Sequence, residues 1–286
     1  APEVTRLGAG PKRPKVSVII PLYRNLSFLR VQLAAFAADP AWAEVETILL
    51  LDSPEQAQAF LHLARGIHLM HGLPLVLAVL PRNLGYAAAN NEGARLARGR
   101  HLLLLNSDVV PDRPGWLGTL LEALEADRKL AAVGPKLLFD DGSIQHAGLL
   151  FRRDPTGIWY NHHYFKGYPR GHGPACVGRE VPGVTGAAIL VRRNRFEAVR
   201  GFTEDYIIGD YEDSDLCLKL RGQGGRIAYV PDAELWHFER RSIRIHDGYA
   251  RTLAGSYNRA LHHRRWDETI AGVMERFTQA AGRAGR

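Results

Sequence analysis

The chain has 286 residues, enough to bury one large core, and its 46% apolar and 23% charged residues are ordinary for a globular protein and exclude a disordered one. No apolar run reaches the roughly 18 to 20 residues that span a bilayer, and two cysteines, Cys176 and Cys217, exclude a disulfide framework or a paired-cysteine zinc site and fit a reducing, cytoplasmic compartment. The net charge of +7 is concentrated late, at Arg240, Arg241, Arg244 and His262 to Arg265. That placement points to a local anion or membrane-surface role, or to a solvated basic surface. No helix-turn-helix, RNA-binding or zinc-finger pattern accompanies it, so a nucleic-acid partner is not expected.

Residues 1–15 are polar and rich in Pro and Lys/Arg, and read as a linker rather than a signal peptide. With no initiator Met, that start leads to the expectation of one domain from a longer, multidomain chain. Val16-Ser-Val-Ile-Ile20, stopped by Pro21, predicts the first core strand. Phe28, Val31, Leu33, Ala35 and Phe36 stand at helical spacing within 27–38. Glu46 to Leu51 predicts a strand closed by Asp52-Ser53-Pro54; a helix over 55–65, a strand over Leu75–Leu80 and a helix over 86–98 follow. Leu102 to Leu105 then read as a strand buried on both faces. Strands alternating with helices imply an α/β fold with a mostly parallel, doubly wound, Rossmann-like sheet.

Further on, Trp116–Asp127 reads as a helix and Ala131–Phe139 as one or two strands. Residues 152–182, with Trp159, Tyr160, His162, His163, Tyr164, Phe165 and Tyr168 among several Gly and Pro, read as a long loop over the sheet, able to stack on a sugar or simply to pack. Gly183–Val191 predicts a strand, Arg195–Arg200 and Asp213–Arg221 helices, and Ile227–Val230 a strand. Leu253–Arg264 and Thr269–Thr278 read as two C-terminal helices, whose basic character suits peripheral contact with a membrane surface.

The stretch with most chemical content is Asn106-Ser107-Asp108, a polar triplet at the carboxyl end of a buried strand, where open α/β sheets place their ligands. Short oxygen-bearing side chains at alternate positions suit a hard divalent cation, and such a cation suits a diphosphate. Taken alone, the triplet reads more readily as a polar strand-end turn.

Four blocks stand in one order: Val16 to Asn25; Asn83-Leu-Gly-Tyr-Ala-Ala-Ala-Asn-Asn-Glu-Gly93; Asn106-Ser-Asp108; and Gly201-Phe-Thr-Glu with Tyr211-Glu-Asp-Ser-Asp215, Val230-Pro-Asp and His237. Together they resemble the inverting family 2 glycosyltransferases of GT-A fold, in the branch that includes bacterial rhamnosyl- and galactofuranosyl-type transferases. The resemblance covers roughly residues 16–240. It implies a linker-like start over 1–15, a GT-A domain over 16–245 with a nucleotide-binding half (16–110) and an acceptor half (111–245), and a helical extension over 246–286.

It also implies roles. Pro21 and Tyr23 would floor the nucleotide pocket. Asp52 would accept hydrogen bonds from base or ribose, although Ser53-Pro54 makes it equally a turn or cap residue. Asn83 and Gly85 would border the nucleotide, on a segment whose small residues also serve close helix–sheet packing. Asn106 replaces the carboxylate that opens the usual Asp-x-Asp and would offer a carbonyl oxygen. Asp108 would ligate Mn²⁺ or Mg²⁺, and His237 would complete the metal site, where the alternative is a satisfied core histidine. Asp213 would be the base, in an acidic helix start that also suits the helix dipole. Arg240 or Arg241 would close on the donor diphosphate, or lie in a solvated loop. Gly183 to Gly186 would line the acceptor side.

The implied reaction moves a sugar from a nucleoside-diphosphate sugar to a hydroxyl of a glycan or lipid-linked glycan, in bacterial surface polysaccharide synthesis. Two other readings stay open. A sugar nucleotidyltransferase would want a Gly-rich basic loop where Pro-Leu-Tyr-Arg-Asn stands. A non-catalytic nucleotide- or glycan-binding module would explain Asn106 and the altered segment after Asp52.

Overall fold

The computed structural model of the chain describes residues 1–238 and 253–284. The elements in order are β1 (Glu3–Leu7), β2 (Val16–Leu22), α1 (Leu29–Ala37), β3 (Val45–Leu51), α2 (Ala57–His71), β4 (Leu75–Val79), α3 (Tyr86–Leu96), β5 (His101–Leu105), β6 (Val109–Pro111), α4 (Trp116–Ala126) and β7 (Leu130–Leu138). Then come β8 (Ile144–His146), β9 (Leu149–Arg153), β10 (Trp159–His163), β11 (Arg179–Glu180), β12 (Ala188–Arg192), α5 (Arg193–Ala198), α6 (Glu212–Gly222), β13 (Arg226–His237) and α7 (Leu253–Ala284).

One mixed sheet runs β1-β4-β3-β2-β5-β12-β7-β13-β11. Its first half is parallel: β4, β3, β2 and β5 lie side by side in the doubly wound order. These strands are apolar runs rather than alternating ones because helices cover both faces. Val18 and Ile20 of β2 join the core beneath α1, α2 and α4, while Ile19 between them joins the opposite core beneath α3 and α5. The chain direction then reverses: β12 pairs antiparallel with both β5 and β7, and β13 runs parallel to β7.

Several expectations need correction. The linker-like start is not all linker, because Glu3–Leu7 pairs antiparallel with β4 and closes the sheet edge; an edge strand needs little apolar surface, so its composition hid it. The expected loop over 152–182 contains the hairpin β9–β10 and the short strand β11 on β13. The predicted strand at 183–191 begins only at Ala188, its glycine-rich start forming a loop, and the last strand is longer than expected, running from Arg226 to His237. The two C-terminal helices are one, since no Gly or Pro interrupts Arg264 to Thr269.

Helix α7 is docked by a third apolar cluster, in which Ile270 and Val273 meet Phe151 and Trp159 of the hairpin and Leu218 of α6. Among the described residues no helix is long and apolar enough to cross a membrane. Ile270 is fully buried. Truncating it should remove transfer free energy and leave a void, so Ile270→Ala is expected to destabilise the chain by about 2–5 kcal/mol in denaturant titration.

Candidate active site

A cleft of about 1080 Å³ opens at the carboxyl ends of β2, β3 and β5 and extends past residues 185–187, which lead into β12, to the start of α6. Pro21, Tyr23, Asp52, Asn83, Gly85, Asn106, Asp108, Asp213 and His237 all line it. The sheet thus brings these nine together, whereas of the expected Gly183 to Gly186 stretch only Thr185 and Gly186 reach the cleft, Gly183 and Val184 packing on Cys217 instead. Arg240 and Arg241, and Arg244 beside them, fall outside the described residues.

On the side of the parallel strands, Asp52 ends β3 and is buried. Its Oδ1 accepts from the Leu84 N–H at 2.6 Å and its Oδ2 from the Gly85 N–H at 2.9 Å. The carboxylate therefore pins the loop that opens α3. Burial raises its pKa while the two amides pull it back down. Asn83 folds its side chain onto the same Gly85 N–H at 2.9 Å. Gly85 sits at φ +84°, which an L side chain rarely adopts, and so lets the loop turn into the helix. Asn91, by contrast, is anchored away from the cleft: it donates to the Phe202 carbonyl at 3.0 Å and accepts from the Phe202 N–H at 2.9 Å.

The triplet Asn106-Ser107-Asp108 links β5 to β6. Gln32 of α1, fully buried, donates to the Asn106 carbonyl at 2.9 Å and the Val109 carbonyl at 2.7 Å, which fixes the turn. The pairing of β6 with β13 sets His237 opposite Val109, and His237 Nε2 lies 3.4 Å from Asp108 Oδ1. On its other side, His237 Nδ1 lies 2.6 Å from Gln145 Oε1. An amide oxygen only accepts, so Nδ1 carries a proton and Nε2 is the ring nitrogen turned toward Asp108. An imidazole nitrogen and a carboxylate oxygen side by side, with Asn106 at hand, form a donor set that a divalent cation accepts. Among the described residues no group of three His, Cys, Asp or Glu gathers for a metal. This pair would therefore need further oxygens from a ligand or water, as Mg²⁺ and Mn²⁺ sites on diphosphates do.

Facing this pair is the start of α6. Asp213 Oδ2 accepts from the Gly186 N–H at 3.1 Å and Oδ1 from the Ser214 N–H at 2.7 Å. Gly186 approaches so closely that a Cβ there would stand 2.8 Å from the Tyr86 hydroxyl and 3.3 Å from Asp213 Cβ. Burial raises the Asp213 pKa, against the lowering effect of these amides and the Thr185 hydroxyl.

The chain reaches α6 through a loop, residues 205–211, that forms one wall of the cleft. Ile208, Asp210 and Tyr211 have φ of 68°, 70° and 73°, three left-handed non-glycine residues within four positions. Helix α7 holds them. Buried Asn258 accepts from the Ile207 N–H at 2.8 Å and donates to the carbonyls of Ile207 at 2.8 Å and Gly209 at 2.6 Å. One turn on, His262 Nε2 lies 3.0 Å from Ser214 Oγ, and beyond it Trp266 donates to Asp215 at 2.8 Å.

Sequence reasoning missed Gln32, Gln145 and Asn258, which act through residues 74 or more, 92 and about 50 positions away. Their one local signal is a polar side chain in apolar company. It also left the aromatic stretch undivided: Trp159 is buried, whereas Tyr160, Asn161, His163 and Lys166 face the cleft.

A mixed α/β sheet whose direction reverses beside a polar strand end, with a nucleotide-sized cleft there, is the GT-A architecture. The sequence model of "Glycosyltransferase like family 2" matches residues 14–258, and the chain belongs to that family. It is 31% identical over 236 residues to the O-antigen biosynthesis protein RfbC of Myxococcus xanthus, covering 81% of this chain and 18% of that protein. It is 32% identical over 151 residues to an N-acetylglucosaminyl-diphospho-decaprenol L-rhamnosyltransferase of Mycobacterium tuberculosis, covering 49% of this chain and 48% of that one. The chain thus spans half or less of the length of these relatives. The solved structure of GalNAc-T7 with UDP, GalNAc and Mn²⁺ shares the fold with a TM-score of 0.63 at 19% identity, over 80% of this chain and 44% of that one.

The grip of α7 on the 205–211 loop is testable. Asn258→Ala leaves one amide and two carbonyls without these partners, so amide hydrogen exchange at residues 207–211 should accelerate. Stability should fall by about 1–3 kcal/mol.

Proposed function

We propose that the chain catalyses metal-dependent, inverting transfer of a sugar from a nucleoside-diphosphate sugar to a hydroxyl of a glycan or lipid-linked glycan, in the synthesis of a bacterial surface polysaccharide or glycolipid. The observation that carries this reading is that Asp213 and the Asp108–His237 pair open into one cleft whose other end is framed by Pro21, Tyr23, Asp52 and the Asn83–Gly85 loop. In this reading residues 16–110 hold the nucleotide and residues 111–245 the acceptor.

Asp108 and His237 would hold Mn²⁺ or Mg²⁺, with Gln145 fixing the histidine's tautomer; such an ion neutralises charge on a departing diphosphate. The chain's own residues do the rest. The loop pinned by Asp52 presents backbone to the nucleotide. Asp213 takes the proton from the acceptor hydroxyl as its oxygen attacks the anomeric carbon from the face opposite the leaving group. A single base suffices for one displacement, and one displacement inverts the configuration. The Gly186 and Ser214 amides hold the Asp213 carboxylate in place while leaving it lone pairs to accept that proton. The bacterial surface glycan is suggested by the similarity to the O-antigen biosynthesis protein RfbC, and the lipid-linked acceptor by that to the N-acetylglucosaminyl-diphospho-decaprenol rhamnosyltransferase.

The test is nucleoside diphosphate release across UDP-, dTDP- and GDP-sugars, with Mn²⁺ and with EDTA. One donor should turn over, and only with metal. Asp213→Asn should lower transfer by at least about 10³-fold with nucleotide affinity kept; loss of nucleotide binding instead would remove Asp213 from the role of base. Because burial raises the Asp213 pKa, turnover should fall with decreasing pH at a point above the ordinary aspartate value. Gln145→Ala should weaken Mn²⁺ binding about 10–100-fold in titration calorimetry with nucleoside diphosphate present.

A further inference from the structure

Two histidines from different strands meet beside the cleft. His146 ends β8 and is fully buried; His163 ends β10 and is half-buried. The hairpin sets His163 opposite Leu149, and Leu149 bridges in turn to Gly183, at the entrance of the loop that holds Asp213. His146 Nδ1 and His163 Nδ1 lie 2.8 Å apart, with the two rings edge to face at 80°. On its far side, His146 Nε2 accepts a longer hydrogen bond from the Thr185 N–H, at 3.4 Å.

These contacts decide where the protons sit. A backbone amide only donates, so His146 Nε2 is bare and that ring carries its proton on Nδ1. Two nitrogens in hydrogen-bond contact share one proton, so His163 Nδ1 accepts from His146 and is bare in turn. His163 then carries its own proton on Nε2. Each ring holds one proton and is neutral. Burial favours the same state, holding His146 well below the ordinary histidine range and taking His163 down to about 3.

The far end of this chain of bonds is open. His163 lines the cleft, and its Nε2 meets no partner among the described residues and is not sealed off from solvent. The chain starts at Thr185, one residue before Gly186, whose N–H holds Asp213 at 3.1 Å. The open N–H and the Asp213 carboxylate are therefore fixed to one loop.

We propose that His163 is a substrate-binding residue whose Nε2–H donates to an oxygen of the substrate in the cleft, and that His146 is the positioning residue that keeps the proton on that nitrogen. The assignment rests on the glycosyl-transfer reading and adds a contact to it. With Lys166 in the same wall, a phosphate oxygen suits this donor as a sugar hydroxyl does, and the second experiment separates the two.

The first experiment needs no substrate: ¹⁵N-histidine NMR of the wild type at neutral pH, with the rings assigned by difference against His163→Gln and His146→Gln. His146 should be the Nδ1–H tautomer, which is the minor one of a free histidine side chain, and His163 the Nε2–H tautomer. A coupling between the two Nδ1 nuclei across their hydrogen bond should accompany them. The proton on His163 Nδ1 instead, or rings that exchange between tautomers, overturns the proposal.

The second is donor turnover, together with titration of UDP, dTDP and GDP in the presence of Mn²⁺, for the wild type, His163→Phe and His163→Gln. Phe keeps the ring and removes the donor. Gln offers an oxygen to the His146 N–H and an amide N–H to the cleft. Turnover should fall about tenfold in His163→Phe, and His163→Gln should recover most of it. Nucleotide affinity that falls alongside identifies a donor phosphate as the partner; affinity that holds identifies a sugar hydroxyl. Wild-type turnover in His163→Phe, or no recovery in His163→Gln, overturns the proposal. Failure of the wild type to turn over any donor counts against the glycosyltransferase reading itself, and the tautomers then decide whether His163 is held as an open donor.

Discussion

The cleft depends on the antiparallel pairing of β5 with β12. Leu105, the last residue of β5, stands opposite Ala188, the first of β12, and the Asn106 N–H continues the ladder to the Ala187 carbonyl at 2.9 Å. Because the two strands run in opposite directions, the exit of one meets the entrance of the other. The polar triplet after β5 is thereby set against Thr185-Gly186, the loop that grips Asp213. Had β12 joined in parallel, its carboxyl end would lie there instead, and the Thr185-Gly186 loop would sit at the far edge of the sheet. The reversal is where a doubly wound sheet leaves a crevice, and ligands of such sheets bind in that crevice.

The two walls are stiffened by different means. Around Asp108 the restraint is polar and buried: Gln32 holds the turn's carbonyls and Gln145 orients His237. Around Asp213 the restraint comes from the far end of the chain. Three left-handed residues in the loop before α6 would relax in isolation, and a stripe on α7, buried Asn258 and His262 with half-buried Trp266 at four-residue spacing, keeps them in place. The third apolar cluster, in which α7 meets the hairpin and α6, is what makes that stripe a fixed support. Helix packing, loop strain and the position of Asp213 are thus one linked system.

The central strands and the cleft residues were legible because both follow local rules. A strand buried on both faces must be an apolar run, as Val16 to Leu22 and Leu102 to Leu105 are, and a polar residue ending such a run marks the ligand edge. What escaped follows no local rule. Glu3–Leu7 is a strand because β4 has a free edge, which its own composition does not reveal. Gln32, Gln145 and Asn258 matter only through partners distant in sequence. Asp52 was read as facing the nucleotide, yet each of its oxygens already accepts from a loop amide, so its work is at least partly to shape the loop. Motif position indicated where it lies, and only the three-dimensional contacts show what it holds.

In the proposed function, Asp108 and His237 bind a cation together with the diphosphate of a nucleotide. Titration calorimetry of UDP, dTDP and GDP into the wild type and Asp108→Asn, with Mn²⁺ and with EDTA, addresses it most directly. One nucleotide should bind the wild type with Mn²⁺, lose most of its affinity in EDTA, and show little metal dependence in Asp108→Asn. Binding of equal strength with and without metal, or of none of the three with Mn²⁺, would contradict the account.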